Sequence, residues 1–547
     1  MQEQKTKTPA KPCKVDFSGR LGPFAAFPDG AVLSLYIEGK PMKAWADTSI
    51  PQRLYARWSV NYGITWDAPV LAYEFPPAAG AIKMHDLDHG LFIDAEGTVH
   101  VYVFNLLNFD EDTPYKDRVV EMLHLYSSDR GRSWSEPCRI DYGHRYTGSL
   151  NAITVLSTGR VVMPFSYMLD GKTFNSTVII SDDQGYTWRQ ASNFIAVETG
   201  SMGLESGAVE PVTVELEDGR IWMVIRTTTG KLYESFSSDG GETWCRAQPT
   251  AFRSANAPAG LLRLRDGTIM MCWNHCQGEP IFGGIGYARQ SLVAVVRGRD
   301  GICRGYREVV RLRPDNDPDH SVCYPWMTEL ADGNVLVGYL DVDMRRWTDT
   351  VKFQAVRVDP NWLEQPYAEE QWRDGTADCS VTPSGVEITP EADDGGSLRL
   401  HRSEEDAPVG ITWNFPLQTQ GEISVRLKLE EGFGGTFIAL SDTFLKPGNR
   451  QGGLFRIKLD PDGQICTQYR NESEYVHVWR SPKLEISHWY DLVIRWDCMM
   501  EMATIRVDGK EAGTILKLEQ GDGVSYIRLF AAGVGGGLRV DRIKSKE

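Results

Sequence analysis

Two short stretches of this 547-residue sequence combine side chains that can hold a metal ion or move a proton. In the first, Cys272 and Cys276 flank His275, as in half of a zinc site. No second cluster of cysteine and histidine ligands follows it along the chain. We therefore interpret these residues as reduced thiols and a packed imidazole, and we predict no metal ion and no cofactor.

The second stretch, KMHDLDHG, contains His85, Asp86, Asp88 and His89. Imidazole titrates near neutral pH, so histidines beside carboxylates can act as general acids or bases or can contact a polar substrate. The same side chains can instead cap backbone amides in a turn. The sequence leaves both interpretations open, and His85, Asp88 and His89 are kept as candidate substrate-binding residues.

A repeated turn that ends in tryptophan organises the strands around these stretches. It occurs as SVNYGITW, SSDRGRSW, SDDQGYTW and SSDGGETW, beginning at residues 59, 127, 181 and 237. In each copy an Asp or Asn side chain can bond the amides ahead of it, the glycine can adopt a positive φ, and the tryptophan can pack under the turn. Each copy therefore predicts a tight turn that is pinned by its tryptophan.

A second repeat places a glycine turn immediately before an apolar strand. Its six glycines are Gly30, Gly97, Gly159, Gly219, Gly267 and Gly333. The intervals between them leave room for about four short strands each, which is the usual size of a propeller blade. We predict an all-β fold in which residues 1–14 are a flexible N-terminus and residues 15–365 form a six-bladed β-propeller, whose first and last strands close one blade together.

The repeat stops after about residue 360, and residues 375–547 show a different pattern. Runs such as GEISVRLKLE and WYDLVIRW alternate apolar and polar residues between Gly and Asp turns, which is typical of an antiparallel sandwich. The hairpin that ends at Asp508 and Gly509 resembles the concanavalin and laminin-G type of jelly roll. We therefore predict a β-sandwich (jelly-roll) domain over residues 375–547 and expect it to be a packed buttress.

Composition excludes several classes of partner. The chain has 58 Lys and Arg against 74 Asp and Glu, a net charge of -16, which repels phosphate backbones and anionic membrane surfaces. It has no apolar run long enough to span a bilayer, and its first residues are polar and Lys-rich. We expect neither nucleic acid nor a membrane as a partner. The compartment is cytoplasmic, or the protein is exported after removal of a signal, and the oligomeric state is not indicated.

The tryptophan-ended turns resemble the Asp-box, or BNR repeat, of the sialidase (neuraminidase) superfamily. Four copies in one chain support the propeller fold. In that superfamily the boxes lie at the periphery of the blades, and proteins that are not enzymes also carry them. Function must therefore be sought among residues of the central pore.

Four segments are similar to those of retaining exo-sialidases. SGRLGPFAAFPDG is similar to the Arg-Ile-Pro signature and gives Arg20. VEPVTVELEDGRIWMVIRT is similar to the Glu-Pro segment and the strand after it, and gives Glu210 and Arg226. GYARQSLVAVV gives the last arginine, Arg289, and VCYPWMTELADG gives Tyr324.

The resemblance implies a role for each residue. The arginines bind the carboxylate of a 2-keto sugar acid, which Arg can engage in the bidentate geometry that Lys lacks. A neutral tyrosine avoids the repulsion that a carboxylate nucleophile meets beside that anion. Glu210 then serves as the base for Tyr324. Asp47, in AWADTSIPQRLYARWS, is the acid/base, a role for which we expect shielding from solvent and a raised pKa, and Arg53 is a further substrate contact.

The resemblance predicts a glycoside hydrolase that removes terminal α-linked sialic acid or a related 2-keto sugar acid from glycans. The partner is then a glycan that ends in an acidic sugar. A first alternative is a propeller polysaccharide lyase or rhamnosidase that acts on uronic-acid glycans with a pore histidine, since the cluster around His85 suits that chemistry. A second alternative is a propeller that binds carbohydrate without turnover.

Overall fold

The computed structural model describes residues 9–83, 90–108, 113–114, 117–145, 147, 150–168, 173–199, 206–276, 280–281, 284–285, 289–311, 320–343, 351–390, 396–449, 452–468, 475–478, 480–521 and 523–547. The chain divides into two compact units, residues 1–303 with 319–362 and residues 304–318 with 363–547. In these ranges the helices are a single 3-10 turn, Met42–Ala44, and one short α-helix, α1 (Pro360–Leu363). The all-β fold predicted from the sequence is confirmed.

The first unit is built from small antiparallel sheets that follow one another along the chain. Strand β1 (Cys13–Lys14) comes first. The strands of the first two sheets are β2 (Phe24–Ala26), β3 (Val32–Glu38), β4 (Gln52–Ser59) and β5 (Val70–Phe75), then β6 (Ala81–Lys83), β7 (Leu91–Ile93), β8 (Val99–Leu106), β9 (Val120–Ser127) and β10 (Cys138–Ile140). The strands of the third and fourth sheets are β11 (Thr154–Val155), β12 (Val161–Met168), β13 (Phe174–Ser181) and β14 (Arg189–Gln190), then β15 (Val209–Glu215), β16 (Ile221–Arg226), β17 (Lys231–Ser237) and β18 (Gln248–Arg253).

Two further sheets complete the first unit. The fifth contains β19 (Gly260–Arg263), β20 (Ile269–Trp273) and β23 (Ser291–Arg297), with the hairpin β21 (Pro280–Ile281) and β22 (Gly284–Ile285) between them in the chain. Strand β24 (Cys303–Arg311) crosses the division between the units. The sixth contains β25 (His320–Glu329), β26 (Val335–Asp343) and β27 (Lys352–Val358). Strand β1 pairs with β27, so the first and last strands of this unit share a sheet, as the sequence predicts.

Apolar side chains join neighbouring sheets face to face, which explains why the inner strands are buried along their whole length. Strands β8 and β16 are buried at every residue. One cluster packs Leu35 of the first sheet against Val101 of the second, and another packs Phe104 of the second against Phe165 of the third. A further cluster joins the sixth sheet to the first through Leu336 and Phe24. The sheets therefore pack in sequence, and the last packs against the first.

The two repeated turns take the conformations that their residues predict. The six glycines of the second repeat all have φ between +81° and +91°, a region that side chains with a Cβ rarely adopt. In the tryptophan-ended turn at residue 237, Asp239 Oδ1 accepts from Thr243 N at 2.9 Å, and Trp244 Nε1 donates to Gly241 O at 3.0 Å. The copies at 59, 127 and 181 repeat this pattern, with Asn61 in place of the aspartate in the first.

The second unit consists of two antiparallel sheets that share one apolar core. The first sheet contains β28 (Ala368–Glu370), β30 (Val386–Pro390), β31 (Gly396–Leu400), β33 (Gln420–Leu429), β38 (Trp489–Asp497), β39 (Met502–Val507), β40 (Lys510–Leu516) and β42 (Leu538–Lys546). The second contains β29 (Cys379–Val381), β32 (Gly410–Gln418), β34 (Thr436–Ser441), β35 (Phe455–Leu459), β36 (Ile465–Gln468), β37 (Tyr475–His477) and β41 (Val524–Ala531). This unit also takes residues 304–318, which the sequence-based boundary at residue 375 does not include. The assignment of the units as propeller and jelly roll stays a prediction.

Candidate active site

The candidate residues of the fourth sheet lie at one edge, by which we mean one end of its strands. The tryptophan-ended turn lies at the opposite end of the strands. Val209 pairs with Arg226, so the start of β15 and the end of β16 meet at the same edge. Ser237, which opens the turn, pairs with Ile221 at the opposite end of β16. The repeated turn therefore stabilises the far edge of the sheet and leaves the edge with Glu210 and Arg226 for chemistry.

Glu210 and Tyr324 both occupy a left-handed backbone conformation, with φ of 46° and 55°. Each lies at a break in the strand register, between Val209 and Val212 in β15 and between Cys323 and Trp326 in β25. A bulge of this kind re-aims a side chain away from the regular alternation of the strand. Positive φ is costly for residues other than glycine and is found preferentially at functional sites.

Glu210, Arg226 and Tyr324 contact one another at the edge where these bulges lie. The Tyr324 hydroxyl donates to Glu210 Oε1 at 3.2 Å, and Arg226 Nη1 donates to Glu210 Oε2 at 2.5 Å. Arg226 Nη1 also lies 3.2 Å from the Tyr324 oxygen. The phenol therefore has a carboxylate to accept its proton and a guanidinium to stabilise negative charge on its oxygen.

Asn256 links the two buried arginines of the site, and sequence reasoning missed it. Its side-chain Oδ1 accepts from Arg226 Nε at 2.7 Å, and its backbone oxygen accepts from Arg289 Nη2. Nothing in the flanking small residues, SANAPAG, indicates this role. The loop before β19 thus fixes the spacing of Arg226 and Arg289.

Arg289 approaches the same tyrosine from the fifth sheet. Its guanidinium carbon lies 5.2 Å from the centre of the Tyr324 ring, and its Nη1 lies 3.8 Å from Cys323 Sγ. Burial acts to lower the pKa of Arg289, but the nearby Tyr324, Cys323 and Glu210 outweigh it, and the pKa is raised. Arg289 therefore stays charged although only 2% of it is exposed.

The environment of Asp47 differs from the expected one. Asp47 is exposed, and its carboxylate accepts hydrogen bonds from the Ser49 hydroxyl at 2.6 Å and the Ser49 amide at 2.8 Å. These bonds lower the pKa of Asp47, so the expectation of a shielded carboxyl with a raised pKa is wrong in this structure. Its loop is anchored by buried Lys40, whose Nζ donates to the backbone oxygens of Asp47 and Ala78 at 2.8 Å each.

Arg20 and Arg53 make their contacts in the first and sixth sheets. The guanidinium carbon of Arg20 lies 4.5 Å from the centre of the Phe353 ring, and its Nη1 donates to Ile37 O at 3.3 Å. Arg53 is partly exposed and forms an ion pair with Glu74 at 2.7 Å. The structure thus brings together Glu210, Tyr324, Arg226 and Arg289, and it places Arg20, Arg53 and Asp47 in other contacts.

The second candidate cluster, His85, Asp86, Asp88 and His89, lies outside the described residues.

The cysteine pair around His275 is described. Cys272 and Cys276 are buried, and His275 is only partly exposed. Burial raises the pKa of the Cys276 thiol to about 12 and lowers the pKa of His275 to about 3. Across the described ranges, no group of three or more His, Cys, Asp or Glu side chains is placed to hold a metal ion. Within the same part of the chain, no helix is long and apolar enough to cross a membrane.

Comparison with known proteins gives a family match and a sequence relative. Residues 89–337 match the BNR repeat-like domain. A sialidase from Micromonospora viridifaciens is 27% identical over 245 residues, which cover 41% of this chain and 35% of that protein. The match thus spans about a third of the length of this relative.

Several solved structures are similar to parts or most of this chain at low sequence identity. A protein of unknown function from Dyadobacter fermentans is 18% identical with a TM-score of 0.47, covering 64% of this chain and 98% of that one. Trypanosoma rangeli sialidase in complex with 2,3-difluorosialic acid is 13% identical with a TM-score of 0.44, covering 98% of this chain and 96% of that one. A point mutant of NanB sialidase from Streptococcus pneumoniae is 16% identical with a TM-score of 0.46, covering 62% of this chain and 68% of that one.

Proposed function

We propose that this chain, which belongs to the sialidase superfamily through its BNR repeat-like domain and its sialidase relative, is a glycoside hydrolase. Its substrate is a glycan that ends in α-linked sialic acid or a related 2-keto sugar acid. The observation that carries the proposal is the contact of the Tyr324 hydroxyl with both Glu210 and Arg226, each at 3.2 Å. A buried phenol held between a carboxylate and a guanidinium is the arrangement that a tyrosine nucleophile requires.

Recognition of the substrate rests on its carboxylate. Arg226 and Arg289 are buried and held by Asn256, so they can meet a planar anion without losing side-chain freedom on binding. Arg20 is the third arginine of the proposal and Arg53 a further contact. The sugar carboxylate replaces water around these guanidiniums in a site where charge interactions are strong.

The reaction proceeds in two displacements with retention. Glu210 takes the proton of Tyr324 as the phenol oxygen bonds to the anomeric carbon, and Asp47 gives its proton to the departing glycosidic oxygen. Asp47 then removes a proton from water, the water oxygen bonds to the anomeric carbon, and the bond to Tyr324 breaks with return of the proton from Glu210. Substrate bound over exposed Asp47 supplies the desolvation that the free protein lacks.

The architecture of the proposal is a six-bladed β-propeller over residues 15–365 and a jelly-roll sandwich over residues 375–547. Support for the propeller comes from the sheets of the first unit, which pack in sequence with the sixth against the first. Strands β15 and β25, which carry Glu210 and Tyr324, each lie at one side of their four-stranded sheet, and Arg226 ends the strand next to β15. In a propeller one outermost strand of each blade lines the central channel.

A panel of aryl glycosides tests the function. We expect release of the aryl group from an aryl sialoside or from its deaminated or octulosonic analogue. Activity only on uronic-acid glycans, with an unsaturated product, contradicts the proposal and supports a lyase that uses the cluster around His85. Saturable binding of sialosides without release of the aryl group supports a propeller that only binds carbohydrate.

A further inference from the structure

The bulge of β25 gives Tyr324 a backbone conformation that is usually found at glycine. Before the bulge, Cys323 pairs with Leu340 of β26. After it, Trp326 pairs with Gly338, so β25 has one residue more than β26 between the two pairs. The first residue of the bulge is Tyr324, whose φ is 55°. A strained residue keeps such a conformation only where the surrounding structure holds it. The contacts that hold the bulge therefore also hold the proposed nucleophile.

Trp326 holds the far end of the bulge, because its indole lies directly on Gly338. A methyl group on Gly338 would overlap Trp326 Cε2 and Nε1, so the indole occupies the space of the missing side chain. The rings of Phe24, from the first sheet, and Phe353, from β27, have their centres 6.0 and 6.1 Å from that of the buried Trp326. The indole is thus packed by three strands, and its pairing with Gly338 fixes the register after the bulge.

The fifth sheet also packs against the bulge. A side chain on Gly260, in β19, would have its Cβ 2.6 Å from the carbonyl oxygen of Pro325. Pro325 has no amide hydrogen to donate to β26, so packing has to hold this residue in place of a ladder hydrogen bond. Two glycines on different strands therefore make room for the bulge, and both approach it so closely that it has little space to move.

The position of the bulge decides whether Tyr324 reaches its partners. Its hydroxyl lies 3.2 Å from Glu210 Oε1 and 3.2 Å from Arg226 Nη1. Both distances are near the outer limit of a hydrogen bond, so a displacement of about 1 Å breaks both contacts. A misplacement of this size at a reacting group can lower the rate about a hundredfold.

We propose that Trp326 is a positioning residue, whose indole, packed on Gly338, sets the bulge that holds the Tyr324 hydroxyl against Glu210. This inference rests on the proposed function and adds to it a residue that does not touch the substrate. Disturbing the indole should slow the chemical step and leave binding intact, because the arginines proposed to bind the sugar carboxylate lie outside β25. A residue needed only for stability would not separate kcat from KM in this way.

Two substitutions and their combination test the inference. Trp326→Phe uncovers part of Gly338, and Gly338→Ala pushes the indole off the strand. Each should lower the kcat of the folded protein on an aryl sialoside about tenfold to a hundredfold, with KM changed less than about twofold. The double variant keeps nearly the combined volume of the wild-type pair, so it should recover kcat to within about threefold. If Gly338→Ala does not fold, Trp326→Phe and the double variant still make this comparison. Calorimetry with free sialic acid should give the wild-type Kd for each folded variant.

Gly421→Ala is the matched control. Gly421 pairs with buried Trp496 in the second unit, and a methyl group there would lie 2.7 Å from Trp496 Cζ2. The substitution thus makes the same change against a buried tryptophan, in a unit that carries none of the candidate site residues. It should lower the Tm and leave kcat unchanged.

Two results would overturn the inference alone. One is a Gly338→Ala variant with a lower Tm and wild-type kcat, which would assign Trp326 a purely structural role. The other is a double variant whose kcat is no higher than that of Trp326→Phe. Wild-type protein that neither cleaves the aryl sialoside nor binds free sialic acid overturns the proposed function and the inference with it.

Discussion

At the scale of single residues, Tyr324 reaches Glu210 because the chain leaves regular strand geometry at both positions. An unperturbed tyrosine has a pKa of about 10, so it is protonated at neutral pH and needs a base within hydrogen-bond distance. The bulges in β15 and β25 supply that distance, 3.2 Å between the hydroxyl and Glu210 Oε1. Glu210 and Tyr324 thus keep a strained, positive-φ backbone at the two positions where this conformation brings the proposed nucleophile close to its base.

Arg226→Lys tests the guanidinium of the site. Arg226 bonds Glu210 and Tyr324 through Nη1 and Asn256 through Nε, and a lysine ammonium cannot make these bonds with the same planar geometry. We expect kcat/KM on an aryl sialoside to fall about a hundredfold or more. Arg160→Lys is the control, since Arg160 pairs with Asp182 and Glu242 at the far edge, and it should retain wild-type kcat/KM.

An Arg226→Lys variant with wild-type kcat/KM would show that the guanidinium is not needed for this reaction.

Sequence reasoning could identify Glu210 and Arg226 because they lie in one motif on adjacent strands. It could not find Asn256, since a single asparagine in a loop carries no pattern and its role depends on which side chains the fold brings into contact with it.

At the scale of elements, the tryptophan-ended turns contribute to stability and not to catalysis. Asp239 accepts hydrogen bonds from the Ser237 hydroxyl, the Thr243 amide and the Thr243 hydroxyl. We expect Asp239→Ala to lower the free energy of unfolding by about 1 to 2 kcal/mol with kcat unchanged. Asp239→Asn should lose less than half of that, because Asn61 holds the equivalent turn natively. Chemical denaturation of the two variants measures the difference, and equal losses would show that the charge, rather than the hydrogen bonds, holds the turn.

The second sheet contains a buried histidine pair that makes stability depend on pH. His100 Nδ1 lies 3.0 Å from His124 Nε2, burial lowers the pKa of His100, and burial with the nearby His100 lowers the pKa of His124 to about 3. The unfolded chain, with an ordinary histidine pKa of about 6.5, binds these protons first as the pH falls. Stability should therefore drop between pH 6.5 and 3, at up to about 1.4 kcal/mol per pH unit for each proton.

His124→Gln removes one of these titrations while keeping a polar side chain of similar length. The Tm of the variant should fall less steeply than that of the wild type from pH 6.5 downward, in parallel thermal scans. Identical slopes for the two proteins would mean that His124 is protonated in the folded state, contrary to its burial.

At the scale of the whole molecule, the second unit depends on a segment from the middle of the chain. Within that unit, the Glu308 amide donates to Asn414 Oδ1 at 2.9 Å, and Glu308 pairs with Arg311 at 3.0 Å. A polypeptide of residues 363–547 lacks Glu308 and Arg311, so Asn414 keeps its bonds to Ser525 but its buried Oδ1 loses the donor from Glu308. We expect its thermal unfolding to occur well below that of the corresponding transition in the full chain, as measured by circular dichroism. Unfolding of the isolated polypeptide at the same temperature would show that residues 304–318 are dispensable.

The repeats made much of the first unit predictable. The Gly and Trp turns recur at intervals that fit small sheets, and the structure has a sheet with each of them. The sequence did not predict that residues 304–318 belong to the second unit. The reason is that residues 304–311 have the pattern of one more strand in the repeat series. The sequence also did not predict that Asp47 is exposed, or that hydrogen bonds from Ser49 lower its pKa, which the acid/base role requires to be raised.

The central claim is that Tyr324 and Glu210 act as one catalytic unit, and a double-mutant cycle on an aryl sialoside tests it most directly. We expect Tyr324→Phe and Glu210→Gln each to lower kcat about a thousandfold or more, and the double variant to lose little beyond either single change, because members of one catalytic unit are not additive. Near-full activity of Tyr324→Phe together with loss of activity in His85→Ala would contradict the claim and assign the chemistry to the histidine cluster.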